Sequence, residues 1–207
     1  MARAVPREAG VRAAGPRRDE PRDGGARGDG ELSAGASRDH VVLVGFRAAG
    51  KTTVGRHLAR RLGRPFVDLD RRVEEAAGTS VRRIFEERGE TAFRRLELAA
   101  LRALRGEPAS VVATGGGVVE GAEARRTLLR LGEVVWLQVA EEELLRRLAR
   151  SHRRPSLTGL PVEREARALL RRRRPLYREV ADRVVRAAGR PPAALASRIA
   201  TATARPR

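Results

Sequence analysis

The chain has 207 residues, no cysteine, 3% aromatic residues and a formal net charge of +18. That length suits one domain with a full core. The absence of cysteine excludes disulfides and thiolate metal sites, and no apolar run reaches the length of a membrane span. The positive charge raises the question of nucleic acid, but the few aromatics leave little for base stacking and no nucleic-acid module signature is present.

Residues 1–39 are mostly Gly, Ala, Arg, Pro and Asp, with eight arginines against seven acids. Such a segment cannot bury enough apolar surface to offset its ordering entropy, so a disordered extension is expected. It lacks the layout of a secretory signal and is too acidic for a transit peptide, so a cytoplasmic protein is expected.

At residues 41–44 the texture changes to Val-Val-Leu-Val, as expected of a buried parallel strand. Gly45-Phe46-Arg47-Ala48-Ala49-Gly50-Lys51-Thr52 follows, reading G-x-x-x-x-G-K-T, the phosphate-binding loop pattern. Lys51 is the only lysine in the chain; every other basic residue apart from histidine is arginine. A compact ammonium on a thin stem threads a tight loop where a planar guanidinium does not. A negative φ is expected at Ala48, because a positive one would cost about 1 kcal/mol.

A helix is expected over 52–62, closed by Gly63, then a strand at 65–68. Alternation along an extended strand end would put Asp68 and Asp70 on one side; Asp70 could instead cap the next helix. Helices are expected over 70–77, 80–87 and 91–104, then a strand at 110–113 running into Gly115-Gly116-Gly117. Three successive glycines suit a backbone that something approaches closely, or simply a tight turn. A helix at 122–131, a strand at 133–139 and a helix at 141–150 follow. Residues 151–161 read as a loop suited to a lid. A helix at 162–174, a strand at 183–186 and a helix at 192–202 complete the chain. Alternating strands and helices predict an α/β fold, a five-stranded parallel sheet between two helical layers.

From residue 41 to about 202 the chain resembles the shikimate kinase family. The matching pieces are G-F-R-A-A-G-K-T-T-V-G-R with L-A-R-R-L-G, D-L-D, I-F-E-E-R-G-E-T-A-F-R-R-L-E, T-G-G-G-V-V, R-R-P-S-L and R-R-P-L-Y-R-E-V-A, in that order. The resemblance implies a kinase domain at 40–207 with a mobile lid, ATP and Mg²⁺ as cofactors, and phosphorylation of shikimate to shikimate 3-phosphate. By position it assigns nucleotide binding to Gly45, Ala48, Ala49, Gly50, Lys51, Thr52, Thr53, Arg147 and Arg154, and Mg²⁺ to Thr52 and Asp68. It assigns shikimate to Asp70, Arg94, Gly115, Gly116, Gly117 and Arg173, and catalysis to Lys51, Asp70 and Arg154. Glu97 is expected to pair with a nearby arginine and fix the clamp. A monomer acting on a small molecule, away from membranes and nucleic acid, is expected. Another small-molecule kinase, such as a gluconate kinase, and a basic nucleotide-dependent nucleic-acid binder are the alternatives.

Overall fold

The structure, a computed structural model, describes residues 39–150, 162–187 and 189–203. The expected extension therefore lies outside the described residues apart from Asp39, and so does the expected lid at 151–161.

Five strands form one parallel sheet: β1 (His40–Val44), β2 (Phe66–Asp68), β3 (Val111–Ala113), β4 (Gly132–Gln138) and β5 (Arg183–Arg186). Their spatial order is β2-β3-β1-β4-β5. Val41 pairs with both Val111 and Glu133, and Val44 with Trp136. The strands sort their side chains by parity, as the two-residue period requires. Val41, Leu43, Val111, Val135 and Leu137 join one core, and Val42, Val44, Val112, Val134 and Trp136 join the other.

Each core is closed by its own helices. On the first face lie α1 (Lys51–Leu62), α5 (Glu141–Ala149) and α7 (Pro192–Thr203), through Val54, Leu58, Leu144, Leu195 and Ile199. On the second lie α2 (Leu69–Ala77), α3 (Val81–Ala103) and α4 (Ala122–Leu131), through Leu69, Leu101, Leu128 and Leu131. The three-layer α/β/α expectation is met. The long helix α6 (Val162–Val180) contributes Ala166 and Leu170 to the first core but Tyr177 and Val180 to the second. Arg172 and Arg173 fall at that change of layer.

Two local expectations are corrected. Pro175 does not end its helix, which continues to Val180. The proline removes one helical hydrogen bond, at a cost of roughly 3 kcal/mol. Burial of Tyr177, stacked on Trp136 at a centroid distance of 5.7 Å, offsets it. The two helices expected at 80–87 and 91–104 are both present, joined end to end in α3 and separated by a kink at Gly89, whose φ of 75° and ψ of 174° are not helical.

Ala48 is the second correction: its φ is 63°, against the expected negative value. The loop tightens at this point, with the Ala49 N–H donating to the Phe46 carbonyl at 3.1 Å. A left-handed alanine costs about 1–2 kcal/mol, partly offset by the unfolded-state entropy that a glycine would add. Ala48→Gly is therefore expected to stabilise the protein by about 0.5–1 kcal/mol, raising the heat-denaturation midpoint by ~1–3 °C in a calorimetric scan.

Candidate active site

The chain leaves β1 and β3 side by side at the carboxyl edge of the sheet, where ligands bind in open parallel sheets. The glycine-rich loop after β1 runs into α1 through Gly50, itself left-handed at φ 93°. No acidic residue lies in the first turn of α1, so its free N–H groups and helix dipole favour an anion. Lys51 is buried with its ammonium folded over the loop, donating to the carbonyls of Gly45 at 2.7 Å and Phe46 at 2.9 Å. Thr53 lies exposed in the same first turn. Arg147, on α5, reaches the same loop, donating to the Ala48 carbonyl at 3.3 Å and to Glu143 at 2.8 Å.

Thr52 donates its hydroxyl to Asp68 Oδ2 at 3.0 Å. The hydroxyl and the carboxylate form an all-oxygen pair at the mouth of the cradle, suited to a hard divalent ion. Among the described residues no three His, Cys, Asp or Glu side chains cluster as a metal cage. A hydroxyl, one carboxylate and phosphate oxygens are the usual holders of Mg²⁺ beside a nucleotide.

Asp70 is where the strand-alternation reading fails. The strand ends at Asp68 and the helix begins at Leu69, so Asp70 sits inside the first turn of α2. It is not the capping residue either, since Asp68 holds that position. The two carboxylates share the sheet edge but serve different neighbours: Asp68 meets Thr52, and Asp70 meets the triple-glycine loop.

That loop is the meeting point of the site. A Cβ on Gly115 would stand 2.6 Å from Glu97 Oε1 and 2.9 Å from Asp70 Oδ1. One on Gly116 would stand 3.0 Å from the Arg47 backbone nitrogen. One on Gly117 would collide with the Arg94 guanidinium. The close-approach reading of the three glycines thus holds, and each is small for a different partner. Tyr177 donates its hydroxyl to the Gly116 carbonyl and locks the loop to α6. Burial raises the Tyr177 pKa well above its ordinary value, so the hydroxyl stays a donor.

Arg94 and Arg173 converge, as expected of a clamp. Both donate to Glu120 Oε2, Arg94 Nη2 at 3.4 Å and Arg173 Nη2 at 3.0 Å. Glu97 fixes Arg94 through a 2.6 Å bond from Nη1, which meets the expectation of an arginine partner. Burial pushes the Glu97 carboxyl upward; Arg94 pulls it down through charge and hydrogen bond, and Asp70 adds to the rise. Arg173 is almost wholly buried, and its Nε finds no hydrogen-bond partner among the described residues. An orphaned buried donor costs about 1–3 kcal/mol. Arg154 lies outside the described residues.

Three members of the site were not picked out from sequence. Phe46, inside the phosphate loop, is buried between two guanidiniums, Arg47 at 5.9 Å and Arg173 at 5.8 Å from its ring centre. Arg47 reaches the buried Glu165 of α6 at 3.3 Å, tying loop to helix. Glu120 ends a 3₁₀ turn (Val118–Glu120) directly after the glycines. An acid beside the glycine run was a visible signal, whereas the stacking of Phe46 depends on α6 and leaves none.

A separate concavity of about 590 Å³ lies along α4 and the end of α3, lined by Arg102, Arg105, Arg126, Arg130 and Glu123 among others. It contains none of the residues above. Arg102 and Arg130 occupy the last turns of α3 and α4, where positive charge complements the helix dipole, and Arg102 pairs with Glu123.

Comparison with known proteins gives the family and the fold. The family model for shikimate kinase matches residues 47–204. A shikimate kinase of Bordetella pertussis is 45% identical over 155 residues, covering 75% of this chain and 74% of that relative. One of Symbiobacterium thermophilum is 48% identical over 145 residues, covering 69% of this chain and 83% of that relative. Among solved structures, shikimate kinase from Acinetobacter baumannii in complex with shikimate superposes with a TM-score of 0.76 at 40% identity, covering 81% of this chain and 94% of that one. The match spans the lysine of the phosphate loop, the aspartates of β2 and α2, the glycine loop and both arginines of the clamp, and the chain belongs to the shikimate kinase family.

Proposed function

We infer that this protein transfers the γ-phosphoryl group of ATP to a hydroxyl of shikimate, giving shikimate 3-phosphate and ADP. The observation that carries the reading is the convergence on one glycine loop of three things: a phosphate cradle, a carboxylate at Asp70, and a two-arginine grip formed by Arg94 and Arg173. A small hydroxylated acid needs each of them. Two planar guanidiniums from separate helices bind its carboxylate, and the aspartate takes a hydroxyl.

In this reading the cradle of residues 45–52 holds the phosphates by backbone N–H groups, with Thr53 in the same turn and Arg147 against the adenine. Lys51 turns from the loop carbonyls to the β- and γ-phosphates. Arg94 and Arg173 fix the acid end of shikimate, and Gly115, Gly116 and Gly117 let its ring approach the backbone. Asp70 accepts the proton of the attacking hydroxyl as its oxygen bonds to the γ-phosphorus and the bond to the β-phosphate oxygen breaks. Lys51 and Arg154 balance charge on the transferring group. Positioning and charge stabilisation supply most of the acceleration in such transfers. Thr52 and Asp68 are the residues that would hold Mg²⁺, which supplies neutralisation of the phosphate oxygens.

The test is ADP release in a coupled assay, with shikimate, quinate and gluconate compared as acceptors. Release that depends on shikimate is expected; equal turnover of gluconate would remove the need for the arginine grip. Gly117→Ala gives a sharper prediction. Its methyl group would displace the Arg94 guanidinium, so KM for shikimate is expected to rise about tenfold or more, with KM for ATP nearly unchanged.

The same reading gives a cytoplasmic monomer that binds no nucleic acid. Among the described residues no helix is long and apolar enough to cross a membrane. Some of the arginines lie in pairs with glutamate along helix faces, Arg71–Glu75, Arg82–Glu86, Arg83–Glu87 and Arg167–Glu163. Alternating signs of this kind solvate a helix and weaken any continuous basic track. Filter binding of DNA or RNA at two salt concentrations tests it, a steep salt slope counting against the reading.

A further inference from the structure

We propose that Glu120 is an internal competitor for the carboxylate clamp: its side chain occupies the position between Arg94 and Arg173 and must withdraw onto Arg172 before a substrate carboxylate can enter. This rests on the assignment of that clamp to the acid end of shikimate.

Three guanidiniums meet on this one carboxylate. Oε2 accepts from Arg173 at 3.0 Å and from Arg94 at 3.4 Å, and Oε1 accepts from Arg172. Burial opposes ionisation of Glu120, but hydrogen bonds and charge from Arg173 and Arg172 outweigh it and hold the carboxyl below the ordinary carboxylate range. The group that fills the clamp is thus an anion of the same chemistry as the ligand the clamp is assigned to.

The exchange is confined to side-chain torsions. The Glu120 N–H donates to the Gly117 carbonyl at 3.0 Å. Arg125 Nη1 donates to the carbonyls of Val119 at 2.8 Å and Glu120 at 3.3 Å, and is itself held by Glu179 at 2.9 Å. The turn therefore stays in place while the carboxylate moves. Its destination is provided: Arg172, far more exposed than Arg173, holds the other oxygen and can keep the carboxylate at the rim.

The two arginines differ in what they lose. Arg94 keeps Glu97 and Glu90 whatever Glu120 does. Arg173 makes its one close ion pair among the described residues with Glu120; beyond it the guanidinium feels the charge of Glu97 and the hydroxyl of Tyr177, and its Nε has no hydrogen-bond partner. When Glu120 withdraws, only another anion restores Arg173. A neutral cyclic polyol cannot offer one, so Glu120 sets specificity: it excludes ligands without a carboxylate and lowers the affinity of those that have one. An occupied clamp reduces apparent affinity by the fraction of molecules in which it is open.

Calorimetric titration of shikimate into the full-length protein tests this. Glu120→Gln keeps the shape and removes the charge, and is expected to tighten the shikimate Kd by about 3–10-fold. Arg172→Gln removes the withdrawn position and is expected to weaken it by about 2–3-fold. In the double variant the Arg172 effect should vanish, because without a charged competitor its resting place has no consequence. A purely structural role for Glu120 gives the opposite sign for the first variant. Glu120→Gln binding shikimate no tighter than wild type, or an Arg172 effect that persists in the double variant, overturns the proposal. If Glu120→Gln does not fold, as judged by circular dichroism, Glu120→Asp carries the test: its shorter arm should give a smaller gain, and no gain overturns the proposal. Wild-type ADP release with shikimate separates the two readings. With turnover present and no tightening, the competitor fails alone; with no turnover of shikimate, the assignment of the clamp fails and takes the competitor with it.

Discussion

Lys51→Arg is expected to lower turnover by roughly three orders of magnitude while leaving the protein folded. The conservative charge does not rescue it, because the limit is width. The Lys51 ammonium sits within 3 Å of two loop carbonyls, at 2.7 and 2.9 Å, in a buried position. A guanidinium is planar and forked and cannot occupy that space without opening the loop that holds the phosphates. The charge it does supply would lie beyond the reach of the β/γ bridge. Single-turnover phosphoryl transfer measures the effect, with the heat-denaturation midpoint as the control for folding. Near-normal turnover of Lys51→Arg would show that the loop does not use this side chain as read.

Asp70→Asn gives the second large effect. The amide keeps size and hydrogen bonding but cannot take a proton, so kcat is expected to fall by about 10²–10⁴ with a smaller change in KM for shikimate. The position explains why the two should separate. Asp70 lies in the first turn of α2 against Gly115, close to Glu97, whereas Asp68 is engaged by Thr52. In the proposed function binding is carried mainly by the clamp and proton acceptance by this one carboxylate. A rise in KM with kcat preserved would make Asp70 a binding residue only.

The legible parts of this protein are those fixed by neighbours in sequence. The phosphate loop carries its own context, an apolar strand before and a helix after, and the structure has both. The helix at Ala122–Leu131 and the strand at Arg183–Arg186 fall where patterning puts them. The placement of Asp70 was right about the edge and wrong about the cause, because Leu69 already begins a helix and strand alternation stops at Asp68. Ala48 adopts a left-handed turn that its side chain disfavours, since the geometry of the phosphate loop outweighs local preference. Pro175 stays helical because Tyr177, two residues on, is anchored to Gly116 and Trp136, contacts that no local pattern records. Glu120 joined the clamp for the same reason: Arg94 and Arg173 reach it from 26 and 53 residues away.

The Phe46 ring touches both halves of the reaction. It belongs to the phosphate loop, yet its face lies against the Arg173 guanidinium, which in the proposed function grips the acid. A loop movement that shifts Phe46 on phosphate loading would be passed to Arg173 through this one ring. Linkage is reciprocal, so whatever the first ligand does to the second's affinity, the second returns in equal measure. Any coupling that runs through this ring would show as equal shifts in the two ligands' affinities for each other's complexes.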